Sequence, residues 1–233
     1  MPPEPATIAV DKERRVSGLL QAPKGARACY VLAHGAGAGM THPFIAAIAD
    51  GLSERGIATL RYQFPYMEQR SKRPDAPNLA QATVRAAVAE AAKRVPRLPL
   101  VAGGKSFGGR MTSQAQAASP LPGVRGLAFL GFPLHAVASR SEERAAHLFE
   151  VKIPLLFLQG TRDVLADIGL MRKLVQRLGK RATLVPIQDG DHSFQVPART
   201  GRNDAEVRIE VLNALANWIE TVARAHYAGP CLP

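Results

Sequence analysis

The chain has 233 residues, 46% of them hydrophobic and 21% charged, with a formal net charge of +11. That length suits one compact unit spanning residues 1–233, and the composition is too apolar for disorder to be the main state. The charge excess is regional, with ten Lys or Arg against three Asp or Glu in residues 61–120, densest at Arg61, Arg70, Lys72 and Arg73; without interleaved aromatics it reads as a solvated face, and nucleic acid is not an expected partner.

In chain order, residues 1–15 lack the basic segment and apolar run of a signal peptide. Residues 7–10 and 15–21 are β-prone, flank a charged tetrapeptide and predict an antiparallel hairpin. Residues 28–33 are a short apolar run that predicts a buried strand, followed by the glycine-rich loop 34–40. Thr41 is positioned to cap a helix in which Phe44, Ile45, Ile48 and Leu52 recur at helical spacing, and residues 57–61 predict the next strand. The uncharged stretch 28–49 contains His34, Thr41, His42, Pro43 and three glycines, so it is not a membrane span, and no membrane association is expected.

Residues 62–77 are proline-rich and aperiodic, which predicts a surface loop. Asn78 is positioned to cap an alanine-rich helix running to Val95, and residues 100–102 predict a strand. The pattern continues with a turn at 104–109 and a helix to about Ala118. Strands at 126–130 and 153–158, a helix at 165–178, a strand at 183–187 and a helix at 204–225 complete it. Strand and helix in alternation predict a parallel sheet covered on both faces, an α/β three-layer sandwich. The two cysteines, Cys29 and Cys231, do not suggest a bridge, and free thiols fit a cytoplasmic location. Neither they nor the six histidines form metal-ligand spacings, so no metal and no cofactor are expected.

Gly104-Lys105-Ser106-Phe107-Gly108 has the form G-x-S-x-G between a predicted strand and a predicted helix. In that context the motif is a tight turn that lifts a nucleophilic serine clear of the sheet, and small flanking residues are required for lack of space. Chance supplies about 0.07 such matches in this composition. A serine hydroxyl needs a base to take its proton and a carboxylate to orient that base. Asp163 and His192 follow the later strands 153–158 and 183–187, in the order that this architecture requires. Asp167 is the alternative acid, whereas Asp189 and Asp191 share the histidine's own loop and could hold its turn through local hydrogen bonds. Backbone amides of Phe107 and of Ala36, with Gly37 second, are the expected oxyanion donors. Phe64, Tyr66, Met67, Phe132 and His135, together with Gly37, are candidate walls of a substrate pocket. Only 22 residues, 131–152, separate two predicted strands, too few for a large helical cap, so the pocket should be open.

These segments resemble the α/β-hydrolase superfamily, and within it small cap-less members of the dienelactone hydrolase-like and testis-expressed/NSL-complex hydrolase-like groups. The resemblance is carried by residues 34–37, 61–67, 104–110, 160–163 and 190–194. It implies an α/β-hydrolase fold with an eight-stranded, mostly parallel sheet and Ser106, Asp163 and His192 as a catalytic triad. The expected activity is esterase-like cleavage of a small-molecule ester. Ser106 stands where some dienelactone hydrolases have cysteine. Gly103-Gly104-Lys105-Ser106 ends like a phosphate-binding loop, but Pro99 stands where its first glycine belongs. Met40 likewise occupies the third small position of a dinucleotide fingerprint begun at Gly35. The alternative from a different class is a noncatalytic scaffold that binds a protein or anionic partner through the basic loop.

Overall fold

The computed structural model describes residues 2–71, 73–137 and 139–225. Eight strands form one sheet: β1 (Glu4–Ala9), β2 (Arg15–Gln21), β3 (Ala28–Ala33), β4 (Ile57–Tyr62), β5 (Leu100–Lys105), β6 (Val124–Leu130), β7 (Leu155–Gly160) and β8 (Ala182–Ile187). Their spatial order is β1-β2-β4-β3-β5-β6-β7-β8. The β1–β2 and β2–β4 pairs are antiparallel and all others parallel. The hairpin is thus an antiparallel extension of a parallel sheet, as its charged turn and short strands predict.

Period-two alternation sends successive side chains of a strand into opposite layers. In β3, Tyr30 and Leu32 pack with α1 (Pro43–Glu54) and α6 (Asp204–Arg224), through Ile45, Ile48, Val211 and Leu215. Cys29 and Val31 face the other layer, built from α3 (Pro77–Arg94), α4 (Phe107–Ala118) and α5 (Ile168–Leu178). Because β3 is buried on both faces it reads as a continuous apolar run. Each fully buried Leu or Ile in these layers contributes about 1.5–3 kcal/mol relative to exposure. Burial also pushes the free Cys29 thiol up to about 12; Cys231 lies outside the described residues.

Several local expectations are corrected. His42, not Thr41, caps α1, its ring nitrogen accepting the Phe44 N–H at 3.2 Å, and Ala76, not Asn78, precedes α3. In both helices a proline takes the first turn, where its fixed φ suits the helix and its missing N–H costs nothing. The loop after β4 contains a one-turn helix, α2 (Pro65–Glu68), whose Glu68 carboxylate accepts the Ser17 N–H. Between β6 and β7 a 3-10 helix, Glu143–Glu150, buries Ala145 and Leu148. Arg61 is inside β4 and only 4% exposed, so it is no part of a solvated basic face. Arg70 and Arg73 are exposed, and Lys72 lies outside the described residues. Among the described residues no helix is long and apolar enough to cross a membrane.

Candidate active site

Parallel strands bring the carboxyl ends of β3, β5, β7 and β8 to one edge of the sheet, where ligands bind in open α/β architectures. Ser106 joins β5 to α4 with φ 50° and ψ −115°, a conformation that costs a non-glycine residue about 1–3 kcal/mol. The approach of neighbouring backbone dictates the glycines around it. A Cβ at Gly104 would come within 2.2 Å of the Ala33 carbonyl oxygen, and one at Gly108 within 2.5 Å of that of His34. The turn therefore exposes the Ser106 hydroxyl at the start of a helix.

His192 Nε2 lies 2.9 Å from Ser106 Oγ, and its Nδ1 lies 2.7 Å from Asp163 Oδ2. An ionised carboxylate only accepts, so the hydrogen sits on Nδ1 and leaves Nε2 free to accept from the hydroxyl. The Asp163 side chain is fully buried, while that of His192 keeps 22% of its surface. Two further donors hold the carboxylate: the Leu165 amide at 2.8 Å on Oδ1 and the Gln159 carboxamide at 2.5 Å on Oδ2. Asp191 organises the histidine's turn, its Oδ1 accepting the amides of Ser193 and Gln195 at 2.7 and 2.9 Å. Asp167, the alternative acid, caps α5 by accepting the Leu170 N–H and is paired with Arg140 at 3.6 Å. The structure thus joins Ser106, His192 and Asp163 in one hydrogen-bonded run and gives Asp167 and Asp191 local duties.

The loop after β3 lies across from the start of α4. The Gly37 N–H donates to the Tyr66 hydroxyl at 2.9 Å, and of the two candidate residues in this loop Ala36, not Gly37, lines the cavity beside Ser106. The loop is anchored by His34, which is wholly buried. Its Nε2 accepts the Phe64 N–H at 3.1 Å, so Nδ1 carries the hydrogen and donates to the Gly35 carbonyl at 2.7 Å. Burial brings the His34 pKa down to about 4, so the ring stays neutral in that double role.

Beside Ser106 and His192 opens a cavity of about 720 Å³. Its apolar wall comes from Phe44, Ile45, Phe194 and Val211, and Phe44 and Phe194 stack with centroids 5.9 Å apart. None of the six residues expected to shape the pocket lines it. Phe64 and Tyr66 are buried against Phe107 and His34, and Phe132 packs with Phe129 and Phe157. His135 accepts the Asp167 N–H at 2.9 Å and pins the loop that carries Asp163. Met67 touches the back of the loop after β3 at Gly39, and Gly37 makes its turn at φ 71°. The walls come instead from α1, α6 and the histidine loop, segments whose apolar residues sequence pattern explains fully as core. Gln159 was also missed as a site residue, because a glutamine in a buried strand carries no periodic signal. Among the described residues no group of three or more His, Cys, Asp or Glu is arranged to hold a metal ion.

The profile of a family described as alpha/beta hydrolase domain matches residues 26–220. A dienelactone hydrolase from Anabaena variabilis superposes with a TM-score of 0.74 at 22% identity, over 94% of this chain and 97% of that one. A serine hydrolase without a lid from Xanthomonas campestris aligns over 100% and 98% of the two chains, at 19% identity and a TM-score of 0.70. The esterase domain of a Rhodothermus marinus protein is similar at 16% identity and a TM-score of 0.69, over 95% and 99%.

Proposed function

Because the chain belongs to the alpha/beta hydrolase domain family, we propose that it is a serine hydrolase cleaving a small carboxylic ester through an acyl-enzyme, with Ser106, His192 and Asp163 as its catalytic triad. The observation that carries this reading is the unbroken run from Ser106 Oγ through both ring nitrogens of His192 to Asp163 Oδ2. His192 Nε2 takes the hydroxyl proton as Oγ adds to the ester carbonyl carbon, and Asp163 stabilises the imidazolium that results. The amides of Ala36 and Phe107 receive the oxyanion, and one such donor is worth about 3 kcal/mol in the transition state. The intermediate collapses by breaking the bond to the alcohol oxygen, which leaves with the proton held on His192. Water, deprotonated by the same nitrogen, then adds to the acyl-enzyme, and Ser106 departs with its proton restored.

The apolar wall of Phe44, Ile45, Phe194 and Val211 supports an acyl group of short to medium length. The 131–152 connection, too short for a helical cap, supports an open entrance. The test is Ser106→Ala assayed with short nitrophenyl esters and with a fluorophosphonate label. Turnover and labelling should both vanish while the thermal midpoint stays close to that of the unsubstituted protein. Turnover that survives unchanged would overturn the reading.

A further inference from the structure

Lys105 precedes Ser106 and takes no part in the steps above. Its Nζ donates to the backbone carbonyl of His192 at 2.5 Å and lies 5.6 Å from the centroid of the Phe194 ring. Neighbouring loops leave room for it. A Cβ at Gly35 would come within 3.4 Å of the Lys105 Cγ, and one at Gly131, where φ is 70°, within 3.0 Å of Nζ and 3.4 Å of His192 Nδ1. The ammonium and the imidazole thus converge on one point above Gly131. An ammonium drawn inward at the rim of a cavity sacrifices hydration, so its hydrogen bond to the histidine loop must repay that cost.

Resting on the triad reading, we propose that Lys105 is a positioning residue: a charged tie from the strand of Ser106 to the carbonyl of His192, which sets the reach of the imidazole and opposes its protonation. The charged groups that face it are Asp163, from the loop after β7, and Asp191, from the loop after β8, with His192 beside them. Both carboxylates favour the ammonium. Burial opposes it more strongly and brings its pKa down to about 8. Above that pH the tie is neutral, its hydrogen bond to the carbonyl is weaker, and the restraint on the imidazole relaxes.

The experiment compares the full chain with Lys105→Met and Lys105→Arg, following kcat and KM on a short nitrophenyl ester from pH 5 to 10. The ring signals of isotopically labelled His192 are titrated in parallel. In Lys105→Met we expect kcat to fall at least tenfold with KM within twofold, the alkaline fall near pH 8 to disappear, and the His192 titration to move to higher pH. Lys105→Arg should recover much of the kcat and move the alkaline fall upward. A Lys105→Met protein with the original pH profile and His192 midpoint would overturn the proposal. The unsubstituted protein supplies a check that needs no variant, because its His192 signals should show a second inflection near pH 8. Their showing one inflection alone would also overturn it. These titrations need no turnover, so they separate failure of the tie from failure of the triad reading, which Ser106→Ala decides.

Discussion

Gln159 and Asp163 are joined by a 2.5 Å hydrogen bond in which the carboxamide donates to the same Oδ2 that faces His192, while the Gln159 carbonyl oxygen accepts the Phe132 N–H at 2.9 Å. One wholly buried side chain therefore holds both the acid and the turn after β6. Gln159→Leu keeps much of the volume but removes both bonds, leaving the Phe132 N–H buried without an acceptor at a cost of about 1–3 kcal/mol. We expect kcat to fall about tenfold, KM to change less than twofold and Tm to drop by several degrees. Kinetics on a short ester together with thermal melts check this. An unchanged kcat would mean that His192 and Leu165 alone hold the carboxylate.

His34 and His147 give the fold an acid-side sensitivity whose sign follows from burial. Desolvation brings both down to about 4, with Arg110 adding to the effect at His147. The unfolded chain takes up their protons near the ordinary histidine pKa of about 6.5, whereas the folded chain resists until about pH 4. Stability contributed by the neutral rings is therefore present above pH 6.5 and lost as pH falls from 6.5 toward 4. Thermal melts across that window should show Tm falling by several degrees. His147→Gln, which can still reach Ser113, now 2.8 Å from His147 Nε2, should shrink the fall. An equal fall in this variant would remove His147 from the explanation.

Ala47 lines the cavity from α1, one turn away from Phe44. Ala47→Phe adds a ring inside the cavity without touching Ser106, His192 or Asp163. For nitrophenyl esters, kcat/KM on hexanoate should fall at least tenfold relative to that on acetate. Equal losses on the two esters would argue that the acyl group lies elsewhere. The comparison needs the variant to retain labelling by fluorophosphonate, which reports that the triad is intact.

Each strand from β3 to β7 was legible because burial on both faces leaves an apolar run between turn-forming residues. Ends and caps were less so. Thr41 and Asn78 have the side chains that usually cap, yet Pro43 and Pro77 start the helices, because a ring that presets φ prevails over a hydroxyl or amide one or two residues away. Arg61 looked like surface because guanidinium groups usually are; it is buried in β4, with Nη1 3.5 Å from the Met40 carbonyl. Of the six expected pocket residues, Phe64, Tyr66 and Phe132 are spent on packing beneath the site.

By itself the sequence determined the alternation of strand and helix, the glycine-flanked turn at Ser106, and the presence of an acid and a histidine after later strands. All of these are local or periodic properties, set by side-chain volume, backbone freedom and order along the chain. Only the tertiary structure decided that Asp163 rather than Asp167 meets His192, that Tyr66 occupies the Gly37 amide, that Lys105 reaches the His192 carbonyl, and that α1 and α6 wall the cavity. The hydrogen bonds among these join residues up to 87 positions apart. Their geometry is set by the register of parallel strands and the direction of each loop, and neither leaves a trace in local composition.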